Sequence, residues 1–150
     1  MGKYIDQAKN VTEGARRRDY DRPLPNFLRI ALLDNVWYAG DMMPGRYITP
    51  LDVDITNILQ KIAREQNTHK DDNIVDIVGY ADLLDDMDQQ MKQLGYTKGV
   101  ECLYAMDVGE MFELLLKAGP NAEMYIKYFK EQEDEQRTKE DQRVDRGTDG

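Results

Sequence analysis

The sequence is short of the residues from which covalent cross-links and transition-metal sites are built. Cys102 is its one cysteine and His69 its one histidine. A lone thiol cannot close an intramolecular disulfide, and one thiol with one imidazole cannot complete a tetrahedral Cys/His zinc site. Long apolar runs are also missing. No stretch of about 18 apolar residues occurs, and the opening MGKYIDQAKN carries charge where a signal peptide needs its apolar segment. The expectation is a protein that neither spans a membrane nor is secreted, with the reducing cytoplasm as its location. A basic excess is absent too. Twenty Lys and Arg face 29 Asp and Glu, for a net charge of −9, which disfavours direct binding of nucleic acid and suits divalent cations held by carboxylate oxygens. No internal repeat and no alternating strand pattern is found.

What is present is helical periodicity, and the expected fold is all-α, a small helical bundle. A first helix is expected from Lys3 to Arg18, broken by Pro23 and Pro25, and a second from about Asn26 to Tyr38 carrying Phe27, Ile30, Ala31, Leu33 and Trp37. Thr49-Pro50 is the clearest helix start, an N-cap hydroxyl followed by proline at the first helical position. That third helix runs to about Glu65, and a fourth begins near Asp71. The two are expected to pack antiparallel with Ile55, Ile58, Ile62, Ile74, Ile77, Val78 and Ala81 in the core. Gly95 and Gly99 mark a break. Asp107 and Glu110 stand as in a capping box, Gly119-Pro120 stops the helix they start, and Asn121 caps the last one. The organisation expected is a four-helix unit over 1–94, additional helices packed on it over 95–130, and an acidic tail over 131–150. With Val144 as its one apolar residue, the tail is either disordered or a solvent-exposed helical extension.

The candidate site lies on the third and fourth helices. Asp54, Asn57, Lys61 and Arg64 follow one another at i, i+3, i+7 and i+10 beside the apolar stripe, and Asn73, Asp76 and Tyr80 repeat the i, i+3, i+7 spacing, with Asp72 one step round. Antiparallel packing would turn both polar ridges towards one cleft. Carboxylates there could hold magnesium, which keeps several waters and bridges phosphates. Lys61 and Arg64 would meet phosphate oxygens, the arginine as a fork. His69, in the turn, could act as acid, base or phosphate contact. Tyr20 and its neighbours could fold over the cleft. The same pattern also fits solvated edges of ordinary amphipathic helices.

Three segments carry a resemblance. Arg17-Arg18-Asp19-Tyr20-Asp21-Arg22-Pro23-Leu24-Pro25-Asn26-Phe27, then Gln60-Lys61-Ile62-Ala63-Arg64, then His69-Lys70-Asp71-Asp72-Asn73-Ile74-Val75-Asp76-Ile77-Val78-Gly79-Tyr80-Ala81 resemble a phage and prophage family of helical domains of unknown function, of the nucleotide-modification-associated type. The likeness covers residues 3 to about 92. More distantly the chain is similar to MazG-like all-α nucleoside triphosphate pyrophosphatases, which bind magnesium through two carboxylate pairs and hydrolyse the α–β phosphoanhydride. The resemblance implies that Asp54-x-x-Asn57 and Asn73-x-x-Asp76 correspond to those pairs, with two of the four carboxylates replaced by amides, which can ligate a metal without contributing charge. It also implies a homodimer or tetramer.

Two functions are compatible with these features. In the first, the protein is a magnesium-dependent nucleotide-binding protein of phage type, or a (deoxy)nucleotide pyrophosphohydrolase. Asp54, Asp72 and Asp76 would hold the metal and act in catalysis. Lys61, Arg64 and His69 would meet phosphates, Tyr80 or Asn57 would orient base or sugar, and Asn73 and Tyr20 complete the ligand-binding set. In the second, it is a non-enzymatic acidic protein that binds a host protein in the host cytoplasm.

Overall fold

The computed structural model describes residues 2–13, 23–41 and 47–147. Its elements, in chain order, are α1 (Lys3–Glu13), α2 (Pro23–Trp37), α3 (Pro50–Asn67), α4 (Asp71–Gln93), a 3₁₀ segment (Gly99–Ala105), α5 (Val108–Ala118) and α6 (Ala122–Gly147). The fold is all-α, with no strand among the described residues. None of the described helices is long and apolar enough to cross a membrane.

The helix starts follow their chemistry. Thr49 caps α3 with a reciprocal box: its hydroxyl accepts from the Asp52 N–H while the Asp52 carboxylate accepts from the Thr49 N–H at 2.8 Å. Asp107 and Glu110 make the same box at the start of α5, and Asn121 accepts from the Glu123 N–H at 3.2 Å before α6. The second helix starts earlier than expected. Pro23 and Pro25 both lie in the first turn of α2, where an absent N–H costs no hydrogen bond. The expected continuation of α1 from residue 14 to Arg18 lies outside the described residues.

One apolar core joins α2, the middle and end of α4, the 3₁₀ segment, α5 and the first third of α6, through Leu24, Leu28, Leu32, Met87, Met91, Val100, Leu103, Met111, Leu114, Tyr125 and Phe129. The corner after α4 depends on two glycines at positive φ. A side chain on Gly95 (φ 108°) would meet Glu133 Cγ at 2.6 Å, and one on Gly99 (φ 57°) would meet Asp88 Oδ1 at 1.8 Å. Glu133 is thereby held at the corner, its side chain 15% exposed. Beyond it α6 continues to Gly147 as a helix, exposed from Asp134 to Val144. Of the two readings of the tail, the structure takes the helical one.

The rotation of α3 departs from the expected register. Ile55, Leu59 and Ile62 are 44%, 58% and 40% exposed, Ala81 is exposed, and Ile58, Ile74, Ile77 and Val78 are half-buried. The inward residues are instead Val53 and Asp54 on α3 and Asn73, Val75 and Gly79 on α4. Leu33 and Trp37 likewise point outward from α2. The reason is polar. Asn35, fully buried on α2, donates to the Ile48 carbonyl at 2.8 Å and accepts from the Ile48 N–H at 2.6 Å, which anchors the strap leading into the Thr49 cap. With its start fixed, α3 meets α4 through side chains that bond one another.

The division between core and exposed positions on α4 and α2 has a direct test. Met87→Ala should cost about 2–5 kcal/mol, whereas Trp37→Ala should stay within about 0.5 kcal/mol, both read from urea melts monitored by circular dichroism.

Candidate functional site

The turn between α3 and α4 spans three residues, Thr68 to Lys70, and leaves helix ends whose backbone groups need partners. Glu65 supplies the central one. Its carboxylate receives His69 Nδ1, the Lys70 N–H at 3.1 Å and Asn73 Nδ2 at 3.1 Å. These bonds, the imidazole's first, hold the Glu65 carboxyl below its ordinary range. In return the Glu65 carboxylate raises the His69 pKa. Asp71 ties the same turn to α1, accepting from Lys3 Nζ at 2.6 Å and from the Tyr4 hydroxyl at 3.0 Å.

Further from the turn, six residues before the end of α3 and five after the start of α4, Lys61 Nζ meets Asp76 Oδ2 at 2.5 Å, with the two side chains 19% and 21% exposed. Above this pair opens a cleft of about 750 Å³, lined by Lys61, Arg64, Asn67, Thr68, Lys70, Asp72, Asn73, Val75 and Asp76. Five residues singled out from sequence thus share one cleft: Lys61, Arg64, Asp72, Asn73 and Asp76. Three cations face two carboxylates there, in a chain whose overall charge is strongly negative. Arg64 is exposed and forms no ion pair among the described residues.

Other predicted members lie elsewhere. His69 does not line the cleft, because its ring bonds Glu65 one turn back and lies 3.5 Å from Asp71. Asn57 and Tyr80 are half-buried on neighbouring turns, with Tyr80 packed against the core. Asp54 is fully buried, and neither carboxylate oxygen has a hydrogen-bond partner among the described residues. Burial pushes its carboxyl up to about 7. Tyr20 lies outside the described residues. Among the described residues no three of the His, Cys, Asp and Glu side chains gather closely enough to hold a metal ion, so Asp54, Asp72 and Asp76 do not form a three-carboxylate centre. The physical reason is depth: Asp54 is enclosed near the capped start of α3, while Asp72 and Asp76 open onto the cleft near its other end.

Apolar periodicity gave no sign of Glu65, Asn67, Thr68 or Lys70. The i, i+4 spacing of Glu65 and His69 was the available hint for the first of them.

Comparison with known proteins places these helices in a family. The family model described as "Domain of unknown function (DUF6378)" matches residues 3–88, from the start of α1 into α4. The Gene 55 protein of Mycobacterium phage L5 is 40% identical over 96 residues, covering 63% of this chain and 58% of that protein. The Gene 55 protein of Mycobacterium phage D29 is 35% identical over 78 residues, covering 51% and 48%. The chain therefore spans about half the length of the curated relatives it matches. No solved structure shows a significant match.

Asp54 yields a pH signature. Its folded pKa is raised above the unfolded value of about 3.9, so its contribution to stability is fully present below pH 4 and is lost as pH rises through about 7. The loss is on the order of 4 kcal/mol above that point. Asp54→Asn should therefore raise the melting temperature relative to the parent at pH 8, with the difference shrinking towards pH 4. A gap independent of pH across thermal melts would contradict the assignment.

Proposed function

Since the chain belongs to the DUF6378 family, a phage-associated domain of unknown function, we propose that the cleft between α3 and α4 binds the phosphate groups of a nucleotide. The observation that carries this reading is the meeting of Lys61, Arg64 and Lys70 around one open cleft in a chain of net charge −9. Such a chain repels polyanions at long range, so a concentration of cations at one spot is what a phosphate ligand requires. Arg64 offers a planar fork to phosphate oxygens. Lys61 stands beside Asp76, which holds its ammonium in place and half-shields it from water. The resemblance to nucleotide-modification-associated domains drawn from the motifs of residues 52–81 is an expectation that points the same way.

The carboxylates fit magnesium only in the manner of a substrate-borne ion. Magnesium bound mainly by phosphates and water takes one or two protein carboxylates, and Asp72 and Asp76, one turn apart on α4, are that many. They would hold the ion, which supplies charge neutralisation to the phosphates and eases their approach to an acidic protein. Asp54 has no direct part in this reading, because it does not line the cleft.

The test is a thermal-shift screen of nucleoside mono-, di- and triphosphates with and without magnesium. A ligand present at 100 times its dissociation constant stabilises the native state by about 2.7 kcal/mol. Triphosphates with magnesium should shift the parent most. Arg64→Ala should abolish most of that shift without changing the ligand-free melting temperature, since Arg64 is exposed. Lys61→Ala should weaken triphosphates more than monophosphates and also cost roughly 1–3 kcal/mol of stability by removing the half-buried Lys61–Asp76 ion pair. Asp76→Asn should reduce binding in magnesium and not in a chelator. Unshifted melts with every nucleotide, or three variants that bind as the parent does, would sink the proposal and favour an acidic protein that binds another protein.

A further inference from the structure

A nucleotide presents two parts to a protein, a phosphate chain and a base, and the cleft between α3 and α4 is equipped for the first. Lys61, Arg64 and Lys70 carry donors only, which is what phosphate oxygens need. They are spread along the cleft. Lys61 lies deepest, 19% exposed beside Asp76, while Arg64 is exposed three residues further along α3 and Lys70 is exposed where the turn ends. The base finds no such provision. Base binding rests widely on stacking against aromatic rings, and among the described residues no aromatic side chain lines the cleft. Its one apolar lining residue, Val75, is buried. Tyr80, one turn beyond Asp76, packs against the core instead. The Asn73 amide is already committed, donating to Glu65 at 3.1 Å.

Resting on the phosphate-binding reading above, we propose that the cleft takes a magnesium-bound polyphosphate chain as such and leaves outside whatever the chain is attached to. The ligand class is then polyphosphates, inorganic or nucleoside-linked, ranked by the number of phosphates and not by the base. The spread of the cations favours length, because a longer chain reaches more of Lys61, Arg64 and Lys70 at once. The charge balance favours a metal-bound chain. Three cations against two carboxylates leave the cleft one net positive charge, too little for a bare triphosphate approaching a protein of net charge −9. Magnesium carried on the phosphates makes up part of the difference.

The experiment is isothermal titration calorimetry on the full chain in magnesium, with inorganic pyrophosphate, inorganic triphosphate and the triphosphates of adenosine, guanosine, cytidine and uridine. Inorganic triphosphate and the nucleoside triphosphates should bind within roughly threefold of one another, and pyrophosphate more weakly. Inorganic triphosphate should also displace a bound nucleotide competitively. Arg64→Ala and Lys70→Ala, both at exposed positions, should weaken inorganic triphosphate and nucleotide by the same factor. A stacked base adds roughly five- to 150-fold in affinity. A preference of about fivefold or more for one nucleotide over inorganic triphosphate would therefore overturn this proposal while leaving the nucleotide reading in place. No binding of any of these compounds would overturn both.

Discussion

A three-residue turn between helices of 18 and 23 residues has little freedom, and the Glu65 carboxylate uses nearly all of it. By receiving an imidazole, a backbone N–H and an amide at once, it fixes both where α4 starts and which of its faces turns towards α3. The Lys61–Asp76 pair one turn further along depends on that setting, since a shift of one residue would rotate Asp76 by about 100°. The cleft lies above that pair and bounded by that turn. Neutralising Glu65 would therefore act on the cleft at a distance, through helix register and without touching a ligand.

The interface between α3 and α4 reverses the usual division of a helix into apolar inside and polar outside. Lys61, Glu65, Asn73 and Asp76 satisfy one another between the helices, while three aliphatic side chains of α3 remain in solvent. Buried polar contacts of this kind contribute little net stability when complete, and they are costly when one member is missing. They do specify a single register, which an aliphatic seam would leave looser. Asp54 is the uncompensated member. A carboxylate enclosed without a donor works against the fold at neutral pH, and the stability of the molecule rests instead on the core between α2, α4 and the C-terminal helices.

Helix boundaries were legible in the sequence wherever a short-range chemical device sets them. Thr49-Pro50, the Asp107/Glu110 box and Asn121 each act within four residues, so the information is local. Helix rotation was not legible for α3, because aliphatic periodicity identifies an apolar face without saying whether the chain or a partner covers it. Of the polar ridge, Lys61 pairs with Asp76 on α4, and Lys61, Arg64, Asp72, Asn73 and Asp76 line the cleft. The ridge was misread at Asp54, whose enclosure follows from the clamp of Asn35 on Ile48, an interaction across 13 positions that no local pattern encodes. The prolines of α2 misled for the opposite reason: a residue that ends helices in their interior is harmless in a first turn.

The outer part of α6 gives the molecule an unusual profile in solution. From Asp134 to Gly147 the helix extends about 20 Å, and its side chains are exposed from Asp134 to Val144. A rod of that length projecting from a body of this mass raises the friction of the whole particle. It will drift through a gel-filtration matrix as though it were heavier than 17.4 kDa, and its tumbling will be slower about the short axes than about the rod.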